Sequence, residues 1–226
     1  MRELRFQTDQ GSLDIVITKL VVAGWTGRDA LAVQHHIDEL AALGVPAPSA
    51  VPLYYQVGPE LLTQLATITA LGPDTSGEVE PFVVADAQGT LWLGLASDHT
   101  DRALEALSVA KSKQMCMKPV APQLWRLDSV TPYLDDLVLH SDIRETGASD
   151  WVSYQRGPLA AIRPLPALIA ALPDGRLAPG AALLCGTLPA LGGIRPAAGF
   201  RMSLHDPVTG RRIVHRYGVT ELPVVA

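Results

Sequence analysis

The sequence predicts one domain of mixed α and β structure, mostly β, with short helices at its periphery. Two observations predict this class. Many short segments rich in β-branched residues are separated by turn residues, and a long helical period is convincing only near the N-terminus. The chain has 226 residues, 48% of them hydrophobic, which is ample for one sizeable core but small for two complete domains.

The elements follow in chain order. Residues 2–7 and 13–22 flank a turn and predict an opening hairpin. Residues 29–43 carry apolar side chains at helical spacing, and Gly44 predicts the end of that helix. Two shorter helices are predicted at 100–110 and 166–171. Further strands are predicted at 78–84, 91–95, 137–139, 151–155, 182–185, 200–205 and 212–219.

Charge and hydropathy narrow the class of partner. The formal net charge is −5, and no basic run with interleaved aromatic residues is present, which argues against nucleic acid and against an anionic membrane surface. The N-terminus lacks the apolar region of a secretory signal, and no apolar run reaches the length of a membrane span. We therefore expect a cytoplasmic protein that binds a small soluble ligand.

Glu78-Val79-Glu80 is the first candidate for chemistry. In a strand, the two-residue period places both carboxylates on one face. Paired carboxylates repel each other and suit a hard divalent cation such as Mg²⁺, Mn²⁺ or Ca²⁺. The motif alone also fits the solvated face of an edge strand. Its spacing therefore leaves a metal site and a surface strand as alternatives.

Two polar groups elsewhere have similar alternatives. The segment from Asp98 to Arg102 follows an apolar run, where catalytic groups gather but where helix caps are equally ordinary. His36 and Glu39 are neighbours on one helix face, and a carboxylate beside an imidazole suits activation of water. The same residues could instead form the solvent-exposed face of that helix.

Two later segments could bind negative charge. Residues 110–122 contain three lysines, at positions 111, 113 and 118, ahead of a Pro-Val-Ala-Pro sequence. Gly186-Thr187 offers a hydroxyl group and backbone N–H groups that could hold a carboxylate. Either segment alone could be a surface loop.

Taken in order, these elements resemble the fumarylacetoacetate hydrolase superfamily, and closely resemble a bacterial branch of it, the domain of unknown function DUF2848. The resemblance covers about positions 20 to 220. The segments similar to family motifs are His36-Ile-Asp-Glu39 (His-x-x-Glu), Val51-Pro-Leu-Tyr-Tyr (a Pro-x-Leu-Phe-like strand), Glu78-Val-Glu80 (Glu-x-Glu), Asp98-His-Thr-Asp-Arg102 (Asp-Val-Ser-Ala-Arg-like), Tyr154-Gln155-Arg-Gly157 (Gln-Asp-Gly) and Leu183-Leu-Cys-Gly186-Thr187-Leu-Pro189 (Leu-Thr-Gly-Thr-Pro). The lysine segment and the inserted Leu188 depart from the family pattern.

The resemblance implies a β-roll and a homodimer. It implies one catalytic domain over 1–226, with N-terminal strands and the His-x-x-Glu helix over about 1–50 and the β-roll core over about 51–226. The resemblance also implies functional roles for three groups of residues. These are the ligands of Mg²⁺ (or of Mn²⁺ or Ca²⁺), Glu78, Glu80 and Asp98; the catalytic residues His36, Glu39 and Lys113, with Lys111 as the next choice of lysine; and the substrate-binding residues Gln155, Gly186, Thr187 and Arg102.

The implied function is hydrolysis of a carbon–carbon bond in a 2-oxo acid or an acylpyruvate-like 1,3-dicarbonyl compound. His36 with Glu39 would take a proton from water, and Lys113 with Gln155 would stabilise negative charge on the substrate. Hydration, decarboxylation and isomerisation of a chelated 2-oxo acid are alternatives, as is a non-catalytic ligand-binding protein. Replacement of Glu78 or Asp98 by alanine is expected to abolish turnover and to leave the fold intact.

Five aromatic or basic residues are further candidates for the lining of the substrate pocket. They are Tyr54, Tyr55, His99, Trp125 and Arg195. Ordinary packing or surface positions explain each of them equally well.

Overall fold

The computed structural model describes residues 1–42 and 46–225, apart from the side chains of His36 and Leu40. Strands make up most of its regular structure and the helices are short, which confirms the predicted class. The strands are β1 (Arg2–Thr8), β2 (Gly11–Ile17), β3 (Lys19–Gly24), β4 (Leu53–Val57), β5 (Leu62–Thr63), β6 (Thr67–Leu71), β7 (Thr75–Ser76), β8 (Val79–Ala85), β9 (Leu91–Ser97), β10 (Thr100–Asp101), β11 (Lys118–Pro119), β12 (Trp125–Arg126), β13 (Val138–Arg144), β14 (Val152–Pro158), β15 (Ala181–Leu184), β16 (Gly199–His205) and β17 (Arg212–Leu222). The helices are α1 (Ala30–Ala42), α2 (Arg102–Glu105), α3 (Val109–Met115), α4 (Leu127–Val130) and α5 (Leu165–Ala170), with short 3-10 turns at Pro59–Leu61, Thr131–Asp136 and Leu159–Ala161.

Two sheets form the body of the chain. The first has six strands in the order β12-β9-β8-β15-β3-β4, and the second has five in the order β14-β13-β16-β17-β6. Within these sheets, β15 runs parallel to β3 and β17 parallel to β6, and the other neighbours are antiparallel. Two-stranded pairings join β1 with β2, β5 with β11 and β7 with β10.

Both faces of the six-stranded sheet are covered. Val79 and Val83 of β8 pack in one cluster with Phe200 and other side chains of the five-stranded sheet. Phe82, on an alternate position of β8, packs in a second cluster with Phe6 of the β1–β2 hairpin, their ring centroids 6.4 Å apart. Every residue of β8 is buried for this reason. A carboxylate on this strand is therefore removed from bulk water, which penalises its charged form.

The opening hairpin is confirmed, but its second strand is shorter than predicted. The prediction of one strand over 13–22 is wrong, because β2 ends at Ile17 and β3 begins at Lys19 in a different sheet. The N–H groups of Thr18 and Lys19 both donate to the carbonyl oxygen of Gly180, at 2.8 and 3.3 Å. This contact lets the chain pass from the hairpin into the six-stranded sheet.

Helix α1 begins where the sequence predicts. The Asp29 carboxylate accepts hydrogen bonds from the N–H groups of Leu31 and Ala32, at 2.9 and 3.1 Å, and so caps the helix. Gly44, the predicted stop signal, lies outside the described residues. Among those that are described, no helix is long and apolar enough to cross a membrane.

A single helix over 100–110 is not formed. The segment divides into β10, α2 and the start of α3. Asp101 caps α2 by accepting a hydrogen bond from the N–H of Leu104 at 2.9 Å, and the N–H of Ser108 closes the turn onto the Leu104 carbonyl at 2.8 Å. Ser108 then adopts an extended backbone before α3. The helical signal in this segment therefore belongs to two short helices.

Candidate metal centre

The three carboxylates of the predicted metal site come together at one edge of the six-stranded sheet. Glu78 directly precedes β8, Glu80 is the second residue of that strand, and Asp98 directly follows β9. The two strands are antiparallel neighbours with Val79 opposite Ser97, so the start of β8 lies beside the end of β9. One oxygen atom from each of the three carboxylates lies within 4.8 Å of the other two.

Two buried lysines hold Asp98. Lys113 of α3 contacts Asp98 Oδ2, and Lys118 of β11 places its Nζ 2.9 Å from Oδ1. The Lys118 ammonium also donates to the His99 carbonyl oxygen at 2.6 Å. Lys111, the other lysine considered, has an exposed side chain. Because removal of Asp98 would leave two buried ammonium groups without their partner, the expectation that Asp98→Ala leaves the fold intact has to be revised.

Arg102 fixes Glu78 from the first turn of α2. Its Nη1 donates to Glu78 Oε1 at 3.2 Å and to Glu105 Oε2 at 2.8 Å, and its Nε donates to Ser76 Oγ at 2.7 Å. Burial acts to lower the pKa of this guanidinium, but Glu78 and Glu105 outweigh that effect and raise it. The hydrogen bonds described for Arg102 thus go to other residues of the chain and orient Glu78. A contact between Arg102 and the substrate stays a prediction.

Glu80 is fixed by the backbone of Gly186. The N–H of Gly186 donates to Glu80 Oε2 at 2.8 Å. Gly186 has a φ of 92°, and a Cβ atom added there would lie 1.7 Å from Oγ1 of Thr26. Glycine is therefore required at this position both by the backbone conformation and by the close approach of Thr26.

The amide of Gln155 links β8 to the segment that follows β15. Its Oε1 accepts hydrogen bonds from the Val79 N–H at 2.9 Å and from the Ser141 hydroxyl at 3.0 Å. Its Nε2 donates to Thr187 Oγ1 and to the Leu188 carbonyl oxygen, both at 2.7 Å. The Thr187 hydroxyl in turn donates to the Val79 carbonyl at 2.7 Å. These bonds give Gln155 and Thr187 a positioning role, and their contact with substrate stays a prediction.

Burial and neighbouring charges shift the pKa values of the buried carboxyl groups in opposite directions. Burial, together with the charge of Asp98, raises the pKa of Glu80 well above its ordinary value. Burial acts to raise the pKa of Asp98 as well, but Lys113 and Lys118 outweigh it and lower that pKa. Burial acts to lower the pKa of Lys113, which Asp98, Glu78 and Glu80 nevertheless raise. Asp98 and Lys113 therefore form an ion pair, while burial opposes the charged form of Glu80.

This donor set fits a hard divalent cation. Glu78, Glu80 and Asp98 supply only carboxylate oxygens, the ligands that Mg²⁺, Mn²⁺ and Ca²⁺ prefer. A cation among them would offset the mutual repulsion of the carboxylates and would favour the ionised form of Glu80, whose pKa is raised by burial. The chemistry of the three residues and their burial therefore agree with the predicted ion.

Aromatic side chains lie next to Lys113. Its Nζ is 5.8 Å from the centroid of the Tyr55 ring, and the Trp25 indole N–H donates to the Tyr55 hydroxyl at 3.3 Å. Trp25 has a φ of 60°, which makes it the one non-glycine residue with positive φ in the described part of the chain. Tyr55 is thus the pocket candidate that lies at the site.

Tyr54, Trp125 and Arg195 have contacts elsewhere, whereas His99 adjoins Asp98 and its carbonyl oxygen accepts a hydrogen bond from Lys118. The Tyr54 hydroxyl donates to the Leu168 carbonyl at 2.7 Å. Trp125 packs against the guanidinium group of Arg211, which lies 4.4 Å from the ring centroid, and Arg195 forms an ion pair with Glu145. His99 is buried against Tyr217, and burial with the charges of nearby basic groups lowers its pKa to about 3.

The predicted water-activating pair is described only in part. Glu39 is exposed on α1, with its Oε1 3.5 Å from His35 Nδ1. The side chain of His36 lies outside the described part of the structure. The pairing of His36 with Glu39, and their place beside the carboxylates, stay predictions.

Sequence reasoning missed three residues that build the site. Trp25 and Tyr217 carry no sequence signal, because a positive φ and a contact between two sheets both depend on the tertiary structure. Ser97 adjoins Asp98, and in the sequence a serine at this place indicates no more than a helix cap. The sequence alone does not determine which of the three lysines faces the site, and the structure places Lys118 there together with Lys113.

Comparison with solved structures identifies proteins that have a similar fold. A 2-keto-3-deoxy-D-arabinonate dehydratase complexed with magnesium and 2,5-dioxopentanoate matches with a TM-score of 0.63 and 16% identity, over 95% of this chain and 78% of that one. Fumarylacetoacetate hydrolase from the psychrophile Exiguobacterium antarcticum matches with a TM-score of 0.58 and 14% identity, over 90% and 76% of the two chains. The 4-oxalocrotonate decarboxylase from Pseudomonas putida G7, complexed with calcium and acetate, matches with a TM-score of 0.52 and 16% identity, over 92% and 78%. At these identities the likeness shows the fold alone.

The family follows from a separate comparison. No curated protein matches the chain. The family model described as "Protein of unknown function (DUF2848)" matches residues 23–217, which include all the carboxylates and lysines of the site. The chain therefore belongs to the DUF2848 family, and it has the fold of the fumarylacetoacetate hydrolase superfamily.

Proposed function

We propose that this protein is a divalent-metal-dependent hydrolase that cleaves a carbon–carbon bond in a 2-oxo acid or an acylpyruvate-like 1,3-dicarbonyl compound. The observation that carries the proposal is the cluster of Glu78, Glu80 and Asp98, the last two of them buried, with two buried lysines against it. Relatives in fold include a hydrolase, a dehydratase and a decarboxylase, two of them with a bound divalent ion. This supports an enzyme, and the carboxylates support Mg²⁺ or Mn²⁺.

The residues around the cluster have distinct tasks in this proposal. Glu78, Glu80 and Asp98 would hold the ion, which when bound supplies Lewis acidity toward a substrate carbonyl. Lys118 fixes Asp98 and leaves Lys113 as the cation next to developing negative charge on the substrate. An ion held by these three carboxylates would still have room to bind a chelating substrate and water.

The proton transfer belongs to α1 in this proposal. His36, supported by Glu39, would take a proton from the attacking water, as in the hydrolytic members of the superfamily that the sequence resembles. The hydroxide equivalent adds to the distal carbonyl carbon, and the bond to the neighbouring carbon breaks. The electron pair stays with the 2-oxo acid fragment, and Lys113 stabilises its negative charge until the carbon that carried the bond takes up the proton removed from water.

A thermal-shift experiment tests the metal site and the substrate class together. Oxalate is a chelating mimic of a 2-oxo acid enolate. With Mg²⁺ or Mn²⁺ present and oxalate about 100-fold above its Kd, binding should stabilise the fold by about 2.7 kcal/mol. For a chain of this length that is a rise in Tm of about 5 to 11 °C. The rise should vanish when the metal is removed.

Glu78→Ala should lose this metal-dependent rise. Glu105→Ala is the matched control, because Glu105 is the other carboxylate bound to Arg102 and is not in the metal cluster. The metal site is refuted if Glu78→Ala keeps the full response, or if the unchanged protein takes up no divalent ion.

Product analysis tests the reaction type. A hydrolase splits an acylpyruvate into two acids with uptake of water, a decarboxylase releases carbon dioxide, and a dehydratase releases water. Mass measurement of the products therefore separates hydrolysis from these alternatives. Metal-dependent oxalate binding without turnover of any such compound would favour a ligand-binding protein of the same fold.

Location and assembly remain proposals of the same kind. We propose that the protein is cytoplasmic, as its charge and hydropathy lead us to expect, and that it is a homodimer, as the resemblance to the superfamily implies. Light scattering of the purified protein gives the mass in solution, and a monomer at micromolar concentration would contradict the dimer.

A further inference from the structure

A chain of hydrogen bonds leads from β17 of the five-stranded sheet to the backbone of Glu78. The Tyr217 hydroxyl lies 2.8 Å from Ser97 Oγ, and Ser97 Oγ accepts a hydrogen bond from the Glu78 N–H at 3.2 Å. On its other side, the Tyr217 hydroxyl lies 3.0 Å from His99 Nδ1. Ser97, His99 and Tyr217 are all buried, with 2% exposure or less. A hydroxyl group in such a place is costly to bury unless its hydrogen bonds are made.

This hydroxyl contacts both sides of Asp98. Ser97 and His99 are the residues on either side of Asp98 in the chain, and Tyr217 bridges them. Through Ser97 it also reaches Glu78. One group on a distant strand thus ties together the two segments that carry these carboxylates.

Gly77 makes the contact tighter. A Cβ atom added at Gly77 would lie 2.4 Å from the Tyr217 hydroxyl oxygen, 2.8 Å from Ser97 Oγ and 2.8 Å from Cδ2 of Phe200. The residue before Glu78 therefore packs directly against the hydroxyl pair, with no space between them. A shift of either hydroxyl would be passed to the backbone that carries Glu78.

The Glu78 carbonyl oxygen accepts a hydrogen bond from the Asp98 N–H at 3.0 Å, and two further contacts hold this residue. Arg102 holds its carboxylate, at 3.2 Å, and Ser97 with Tyr217 holds its backbone N–H. The first contact allows the side chain to rotate about its own bonds. The second fixes where the side chain starts from, relative to Asp98.

We propose that Tyr217 is a positioning residue for the metal centre, whose hydroxyl sets the separation of Glu78 from Asp98 and thereby the affinity for the divalent ion. The inference rests on the proposed metal site and goes beyond it by assigning a residue outside the ligand set. Groups that orient metal ligands typically change metal affinity by about 10- to 100-fold when they are removed.

Tyr217→Phe tests the proposal. It removes the hydroxyl and keeps the ring that packs against Phe200. The measurement is the Kd of Mn²⁺, from the free-ion signal in electron paramagnetic resonance, at a temperature well below the Tm of every variant. We expect the Kd to rise by about 10- to 100-fold, with one Mn²⁺ still bound per chain at saturation.

Two further variants test whether a general loss of stability, rather than the loss of this hydrogen bond, changes the Kd of Mn²⁺. Tyr133→Phe is the matched control, because it also removes a partly buried hydroxyl that bonds a side chain, Asp206 Oδ2 at 3.3 Å, outside the metal cluster. Its Kd should equal that of the unchanged protein. Ser97→Ala breaks the same link from the other end and should weaken Mn²⁺ binding too. The double variant with Tyr217→Phe should be little weaker than either single one, since both remove one connection.

The outcomes separate this inference from the function it rests on. If Glu78→Ala abolishes Mn²⁺ binding while Tyr217→Phe and Ser97→Ala bind as tightly as the unchanged protein, the positioning role is overturned and the metal site stands. Equal weakening in Tyr133→Phe overturns it as well. If the unchanged protein binds no Mn²⁺, both fail. Should Tyr217→Phe not fold, Ser97→Ala decides the matter by the same comparison.

Discussion

Asp98→Asn is predicted to destabilise the fold strongly in the absence of any metal. The substitution keeps the shape of the side chain and removes its charge. Asp98 is fully buried and its carboxylate faces two buried ammonium groups, those of Lys113 and Lys118. In the variant these two cations would lose the carboxylate that contacts both of them, leaving Glu78 and Glu80 to offset only the charge of Lys113, or one cation would have to lose its proton. Either outcome costs free energy in a buried site.

The magnitude follows from the burial of the pair. Removal of one partner of a buried ion pair typically costs about 3–5 kcal/mol, and here one carboxylate serves two cations, so we expect at least that range. This is a large part of the roughly 5–15 kcal/mol by which a domain is stable. For a chain of this length it corresponds to a fall in Tm of about 6 to 20 °C.

The assay is urea unfolding followed by tryptophan fluorescence, with metal removed by chelation. Asp135→Asn is the matched control, because Asp135 pairs with Arg28 at the surface, where its side chain is 53% exposed, and such pairs contribute about 0–1 kcal/mol. Added Mg²⁺ should not restore Asp98→Asn, since a further cation worsens the imbalance. A free energy of unfolding within 1 kcal/mol of the unchanged protein would refute the reasoning, because it would mean that Asp98 does not neutralise the lysines.

Two further predictions concern acid stability and the choice of lysine. Burial acts to raise the pKa of Asp206, but hydrogen bonds from Thr209 and other groups lower it below its ordinary value. Asp206 therefore contributes stability that is present above about pH 4 and is lost as the pH falls through its lowered pKa. Between about pH 5 and pH 2, the free energy of unfolding should fall less steeply with decreasing pH in Asp206→Asn than in the unchanged protein. An equal slope in the two proteins would contradict this. Lys113→Met should lower kcat by about 10²- to 10³-fold, whereas the exposed Lys111 should tolerate the same change; a loss in Lys111→Met alone would reverse the assignment.

The carboxylate set could be predicted because it depends on local geometry. The two-residue period of β8 determines that Glu78 and Glu80 share a face, and the order of motifs supplied Asp98 as the third member. The lysine could not be chosen from the sequence. Lys111 and Lys113 lie on the same short helix, and their depth depends on what that helix packs against.

The fold shows the same division between local and long-range information. The helical period that begins at Asp29 and the opening hairpin are set by neighbouring residues, and the sequence predicts both, although it extends the second strand of the hairpin too far. The break at Thr18 depends on Gly180, and the link from Tyr217 to Ser97 joins two sheets. Contacts between residues so far apart in the chain leave no periodic signal in a single sequence.

The hairpin of β8 and β9 has a consequence for how the site assembles during folding. All three carboxylates lie on this one hairpin, so their approach requires only the closure of a short loop. Lys113 and Lys118 follow soon after in the chain, whereas Tyr217 comes near its end. The carboxylates are thus brought together by contacts that are local in the sequence, the lysines that face them come from the next segment, and the Tyr217 hydroxyl comes from the last strand.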